Sequence, residues 1–200
     1  MSRHAPARLA LVWLGCTLLL TAGDQFHTQF GVISYANPGP LWGQAWWVAP
    51  LFALATLGFV GGAWPFAPKI AQPAPRDFVT GAAWFFGSYA ASGMFGRYSL
   101  TLTVLYTAIW FLRIVRRSDR SPVIAYSLLL AASGTLAESA LHYSGVCRYE
   151  PRDFLLVPLW LPALYLQGAP LALAITRWLR YPAAVSSTSL PTVAADSRSA

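Results

Sequence analysis

Charged side chains are scarce in this 200-residue chain: Asp, Glu, Lys and Arg make up 10% of it against 56% hydrophobic residues, where an average soluble domain carries roughly 25% charged. The deficit excludes water as the main solvent and predicts a chain built for a lipid bilayer. Cysteine is nearly absent. Cys16 and Cys147 both lie in apolar sequence and are too few for a disulfide framework or a zinc site, so both are read as packed thiols. Lysine is scarcer still, with Lys69 alone against thirteen arginines, a bias that points to a GC-rich bacterial genome. The chain also lacks a Walker loop, a dinucleotide fingerprint, a G-x-S-x-G elbow and an H-E-x-x-H pair, which counts against the familiar enzyme classes and gives no reason to expect a cofactor.

What is present is a succession of apolar runs, at about 9–30, 44–64, 78–96, 98–115, 122–144 and 154–178. Each is long enough to cross about 30 Å of hydrocarbon at about 1.5 Å per residue. The expected fold is therefore all-α, a polytopic bundle of six transmembrane helices over 9–180. A short cytoplasmic N-terminus, 1–8, precedes it, and a Ser-, Ala- and Thr-rich tail, 181–200, is expected to be disordered and cytoplasmic. The first run mimics a signal peptide, but Trp13 fits a cleavage site poorly and five runs follow, so an uncleaved helix is expected.

Orientation follows from the basic residues. Eleven of them, including Arg3, Arg8, Lys69, Arg113, Arg117 and Arg177, fall on the side of the termini, and three, Arg97, Arg148 and Arg152, fall on the other. The positive-inside rule then places both termini in the cytoplasm. In a bacterium the membrane would be the inner membrane rather than the endoplasmic reticulum.

Sliding the chain by 114 residues reveals an internal repeat. Gly31-Val32-Ile33-Ser34-Tyr35 falls on Gly145-Val146-Cys147-Arg148-Tyr149, Asp24 on Glu138 and Trp46 on Trp160. Both copies leave the cytoplasmic side in the same direction, so the repeat is parallel, unlike the inverted repeats of many transporters.

The first and fifth runs carry the unusual polar residues. Asp24 with His27, and Glu138 with His142, stand at spacings of three and four, which puts each pair on one helix face. An intramembrane acid is costly and implies interior facing with a partner. Four readings stay open: a wet interfacial cluster satisfied by water, Arg148, Arg152 or Tyr; a polar lining that anchors a lipid headgroup; a metal site; and acid–base catalysis. One acid–histidine pair on each of two helices is weak metal-ligand spacing.

Proline in the second and sixth runs, Pro50, Pro158, Pro162 and Pro170, predicts kinks that leave wedge-shaped gaps and free carbonyls, some of which Gln167 could satisfy. Gly58 and Gly62, and Ala83, Gly87 and Ala91, form small-residue stripes suited to close helix contact or to an oligomer face. Trp42, Trp46, Trp47 and Trp160 with Tyr35 and Tyr149 read as an outer aromatic belt, or as a stacking surface for a ring-shaped ligand.

Three stretches resemble the Insig (insulin-induced gene) family of sterol-regulatory membrane proteins. Gly145 to Leu179, GVCRYEPRDFLLVPLWLPALYLQGAPLALAITRWL, has a G-V-x-x-Y-x-x-x-D-F start and a later W-L-P. Ala45 to Pro65 opens AWWVAP and ends on a W-P pair. Ser99 to Ser121, SLTLTVLYTAIWFLRIVRRSDRS, has an S-L-T-L start and a D-R-S loop. The resemblance covers about 80 residues in family order and implies a six-helix fold holding a sterol or diacylglycerol-like lipid in an intramembrane cavity without chemical change. Asp119 matches a loop acid tied in the family to binding an escort protein in the endoplasmic reticulum; a bacterial homologue would have no such escort.

The resulting expectation is a non-catalytic lipid-binding or lipid-sensing membrane protein, with Asp24, His27, Trp46, Trp47, Glu138, His142, Tyr149, Trp160 and Gln167 as ligand-site candidates and Asp119 as a partner-site candidate. It needs no metal or cofactor, it has a membrane lipid as partner rather than nucleic acid, and it allows a homo-oligomer. The alternative is a membrane-embedded enzyme acting on an isoprenoid or lipid through Asp24, His27, Glu138 and His142. A small transporter or channel is the third reading.

Overall fold

In the computed structural model, which describes residues 5–40 and 42–181, the chain forms six α-helices: α1 (Ala5–Gln29), α2 (Val48–Ala63), α3 (Pro75–Phe95), α4 (Ser99–Ile114), α5 (Arg120–Tyr143) and α6 (Leu161–Arg180). The first four residues and almost all of the Ser-rich tail lie outside the described residues. Two helices, Pro6–Gln29 and Arg120–Tyr143, are long and apolar enough to cross a membrane, and Val48–Ala63 and Ser99–Ile114 are apolar but shorter. The outer faces of the bundle carry large apolar side chains, with Leu11, Leu18, Leu54, Leu100, Leu112 and Leu136 all exposed.

The central element is α6, which packs on α5, α3, α4 and α2. Its buried face includes Leu164, Gln167, Leu173 and Thr176. Glycine sets how closely its neighbours approach. A Cβ on Gly168 would stand 2.9 Å from the Phe85 ring, and one on Gly81 would stand 3.2 Å from Leu171, so α3 and α6 meet through small residues on both sides. The stripes expected from sequence divide: a Cβ on Gly62 would stand 3.5 Å from Tyr126 and Ala91 packs against the core, whereas a Cβ on Gly58 or Gly87 would meet nothing within 4 Å and Ala83 is exposed.

The proline expectations also need correction. Pro50 is the third residue of α2, Pro158 precedes α6 and Pro162 is its second residue, positions where a missing N–H takes nothing from the helix. Pro170 alone lies inside a helix and deprives the Leu166 carbonyl of its donor. The sixth apolar run was expected to be helical from 154, yet α6 begins at Leu161. Leu155 and Leu156 have φ of 46° and 68°, and Phe154 bridges Val157. A left-handed backbone at two successive residues cannot belong to a right-handed helix.

A feature the all-α expectation omitted joins the two copies of the repeat. After α1, Ile33–Tyr35 forms β1; after α5, Cys147–Tyr149 forms β2. The two pair antiparallel with Ser34 opposite Arg148. Those two residues are also the repeat equivalents, so the ladder is centred on an approximate two-fold axis. Flanking bonds from Ala36 N–H to the Val146 carbonyl (3.1 Å) and from Glu150 N–H to the Val32 carbonyl (2.9 Å) extend it evenly on both sides. Each strand is reached through an equivalent glycine at positive φ, Gly31 at 71° and Gly145 at 77°, ending its helix in a conformation that costs glycine little.

Candidate functional site

The paired strands β1 and β2, a clasp between the two halves, carry the tyrosines that hold the two intrahelical acids. In β1, Tyr35 turns back onto α1, and its hydroxyl lies 2.7 Å from both oxygens of Asp24. In β2, Tyr149 does the same toward α5, donating to Glu138 at 2.9 Å. Tyrosine follows acid by eleven residues in both halves. Burial, together with the facing carboxylate, holds both phenols well above their ordinary range, so each remains a neutral donor at any working pH.

Each carboxylate has a second donor, and here the halves differ. Asp24 receives Gln44 Nε2 at 2.7 Å, from the loop before α2, and Gln44 also reaches the Thr21 carbonyl at 2.9 Å. Glu138 receives the Tyr165 hydroxyl of α6 at 3.1 Å. Asp24 and Glu138 line one void of about 10 Å³ together with Ile33, Trp47, Leu51 and Cys147, which is room for about one water molecule. Trp47 stands edge-on to Tyr35, with ring centroids 5.4 Å apart.

The acid–histidine pairs expected from spacing are not what the fold assembles. His27 is buried and its Nε2 lies 2.8 Å from Ser92 Oγ on α3. The Ser92 hydroxyl also stands 3.0 Å from the Tyr89 carbonyl, and a hydroxyl that donates there leaves its oxygen to accept a proton from His27 Nε2. The His27 ring stacks on Tyr89 at 4.8 Å and tilts against Trp160 at 5.4 Å. His142 Nδ1 accepts the backbone N–H of Tyr149 at 3.2 Å and so anchors β2 to the end of α5. Among the described residues, no three of His, Cys, Asp and Glu stand close enough to hold a metal ion.

The other sequence candidates separate. Trp46 is 78% exposed, whereas its repeat equivalent Trp160 is fully buried, with Nε1 donating to the Gly96 carbonyl at 3.0 Å. Gln167 is also buried, giving Nε2 to the Tyr106 carbonyl at 2.6 Å and receiving Arg113 at 2.7 Å on Oε1. Asp119 lies far from the clasp, where it takes two bonds from Arg117 at 2.7 and 2.8 Å and the Ala71 N–H at 2.9 Å, pinning the loop before α3 to the turn between α4 and α5.

Glu138 differs from Asp24 in facing a second space. Between α2 and α5 lies an apolar groove of about 290 Å³, walled by Ala55, Phe59 and Gly62 on one side and by Leu130 and Gly134 on the other, with Tyr165 of α6 within it. Among the described residues Glu138 is the one carboxylate in its lining. A smaller void of about 50 Å³ behind it shares Phe59, Leu130 and Tyr165 and reaches Cys16 and Phe85. Sequence reasoning missed Tyr165, Gln44 and Ser92 as members of the site. The eleven-residue spacing of acid and tyrosine, written twice, is the signal that was there to find for Tyr35 and Tyr149.

The fold and site define a class: a six-helix bundle in which two helix–strand–helix units are clasped through their strands, each strand holding an acid of its own helix. Its fold is similar to that of solved Insig homologues. The crystal structure of MvINS, a mycobacterial Insig homologue from Mycobacterium vanbaalenii, superposes with a TM-score of 0.75 at 20% identity over 86% of this chain and 93% of that one. A cross-linked MvINS trimer matches with a TM-score of 0.76 at 20% identity, over 87% of this chain and 94% of that one. No protein-family model matches the chain, and no curated protein does.

Proposed function

We propose that the chain is an Insig-like integral membrane protein that holds a neutral lipid bearing a free hydroxyl in the groove between α2 and α5, without changing it chemically. The observation that carries this reading is the groove's composition: an apolar channel with a single carboxylate, Glu138, at one end. A sterol and a diacylglycerol have that pattern in common, one hydroxyl on an apolar body, and Glu138 has acceptor capacity left after binding two phenols. At about 290 Å³ the groove lies at the small end of ligand pockets, about 300–1,000 Å³, so part of the lipid would remain in the bilayer.

The exposed leucines on α1, α2, α4 and α5 support a bilayer setting, because a water-facing surface of that kind would drive aggregation. A bacterial inner membrane with both termini cytoplasmic remains the preferred placement, on the arginine bias and the charge asymmetry. The trimer seen for MvINS favours a homo-oligomer here as well, and the outward-facing Gly87 and Ala83 offer a face for it. Against the enzyme alternative stands the commitment of the polar groups: Asp24 and His27 bond to different partners, and the void the two acids share admits no lipid.

Native mass spectrometry of gently purified protein tests the reading. Diacylglycerol or sterol should be retained, the corresponding ester lacking a free hydroxyl should not, and Glu138→Gln should retain less. Protein that carries no neutral lipid and takes none up would overturn it.

A further inference from the structure

The end of the bundle opposite the clasp holds a second built space, independent of what fills the groove. About 260 Å³ in volume, it lies between the loop before α3, the end of α4 and the middle of α6. Its lining includes Arg76, Arg113, Arg117, Asp77 and Thr80, over an apolar wall that includes Leu173. Three arginines there face one aspartate. That aspartate is already engaged, since Asp77 Oδ2 accepts the Ala74 N–H at 2.7 Å and caps α3. Arg117 is engaged as well, through both oxygens of Asp119.

Arg113 is the unusual member. It leaves the last turn of α4 half-buried and crosses to α6, where its Nη1 meets Gln167 Oε1 at 2.7 Å. Its guanidinium lies 5.9 Å from the Trp84 ring centroid. Among the described residues Arg113 makes no ion pair, nor does Arg76. Gln167, fixed in turn by the Tyr106 carbonyl, aims the guanidinium rather than neutralising it. A half-buried cation that hydrogen-bonds to a neutral amide is electrostatically incomplete, and a guanidinium presents parallel donors that match a phosphate. Thr80 adds a hydroxyl to the same wall.

We propose that this space binds a phosphate-bearing anion, with Arg113 as its principal ligand, Arg76 as the second, and Gln167 as the positioning residue. The chemistry is shared by the headgroup of an acidic phospholipid and by free phosphate.

The test uses the full chain in a neutral detergent. Native mass spectrometry with equal amounts of phosphatidylglycerol and phosphatidylcholine reads the lipid source, and thermal stability in inorganic phosphate against chloride of matched ionic strength reads the free one. Wild type should prefer phosphatidylglycerol about tenfold, the scale of one charge-assisted bond, or be stabilised by phosphate specifically; whichever arm responds identifies the source. Arg113→Gln should abolish the response. Because that change also disturbs Gln167, Arg76→Gln, at an exposed position, should weaken it with the fold intact, and Arg152→Gln beside the clasp should leave it unchanged. Wild type that responds in neither arm, or a folded Arg76→Gln and Arg113→Gln pair that responds as wild type does, overturns the proposal.

Discussion

Replacing Glu138 by leucine separates two accounts of an acid in this position by the size of the stability change. If the carboxylate were a polar side chain merely tolerated at the edge of the hydrocarbon, leucine would stabilise the protein, since a charge at a helix centre costs roughly 2.5–3.5 kcal/mol on insertion scales while leucine is favourable. If it is the shared acceptor of Tyr149 and Tyr165, at 2.9 and 3.1 Å, leucine strands two hydroxyls. One orphaned buried donor costs about 1–3 kcal/mol in soluble proteins, and interhelical bonds in a bilayer average about 0.6 and reach about 1.7. Tyr149 is 3% exposed and held in the clasp, so it takes the larger value. Tyr165 is half-buried and can turn into the groove, so it takes the smaller. Together the two stranded hydroxyls cost about 2–4 kcal/mol, which cancels the gain of removing the charge to within about 1 kcal/mol, so the leucine variant should be close to wild type in stability.

Glu138→Gln keeps one acceptor oxygen and should lose about 1 kcal/mol. Equilibrium unfolding in mixed detergent micelles, followed by tryptophan fluorescence, measures both. In a double-mutant cycle with Tyr149→Phe, the two losses should overlap by about 1 kcal/mol, because they break the same bond. A leucine variant more stable than wild type by the full insertion gain, about 2.5–3.5 kcal/mol, would refute the assignment of Glu138 as acceptor.

Gly134→Ala places a Cβ 2.5–2.7 Å from the Tyr165 ring, so it should push the ring off Glu138, cost about 1–3 kcal/mol and reduce lipid retention, whereas Gly58→Ala, whose Cβ meets nothing, should do neither; thermal melts and native mass spectra compare them. Burial pushes the Asp119 carboxyl up, but the hydrogen bonds from Arg117 and Ala71 outweigh it and leave the carboxyl below its ordinary 3.8. A depressed folded value contributes stability that is present above the unfolded value and lost as pH falls through the folded one. The protection of the Ala71 amide, taken relative to its intrinsic exchange rate at each pH, should therefore hold from neutral pH down to about 4 and fall below it, and Asp119→Asn should show no such fall; protection unchanged in acid would sink the clamp. Burial, with the charges of Glu138 and Asp24, drives the Cys147 thiol up to about 12 from 9.0. At pH 8 that leaves about a thousandfold less thiolate than an ordinary cysteine holds, so alkylation of a Cys16→Ser protein should be correspondingly slow; labelling at the rate of a free thiol would show the clasp to be open.

Helix number was legible because apolar run length reports the solvent a segment must suit, and six runs became six helices. Helix boundaries were not legible by that signal. Phe154 to Val157 is as apolar as a helix but forms a bridged loop, since composition carries nothing about the left-handed backbone at Leu155 and Leu156. Prolines were overread because their effect depends on distance from a helix start, and the starts of α2 and α6 were the least certain boundaries. The strands were too short for a period-two pattern, although the self-alignment at 114 had already marked both of them. At the site, helical spacing put Asp24 beside His27 and Glu138 beside His142, but spacing specifies a shared face and not a bond. The partners came from elsewhere in the chain: Ser92 on α3, Gln44 before α2 and Tyr165 on α6. Asp119 could be assigned only a family role, and its local clamp to Arg117 and Ala71 needed the fold.

The departures from two-fold symmetry explain why the two acids cannot be equivalent. The position equivalent to Gln44 is Pro158, which has no side-chain donor, and the position equivalent to Tyr165 is Leu51, which has none either. Each half thus lacks the second donor that the other uses. Asp24 is closed over by a loop amide that also ties down Thr21, and it is 5% exposed. Glu138 is completed by a helix side chain that stands in the groove, so the same bond that satisfies the acid shapes the space beside it. A duplicated acid–tyrosine pair therefore serves two ends: in the first half it fixes the clasp, and in the second it fixes the clasp and leaves one carboxylate at the mouth of an apolar channel. That asymmetry is what makes Glu138, and not Asp24, the side chain on which the proposed lipid hydroxyl would settle.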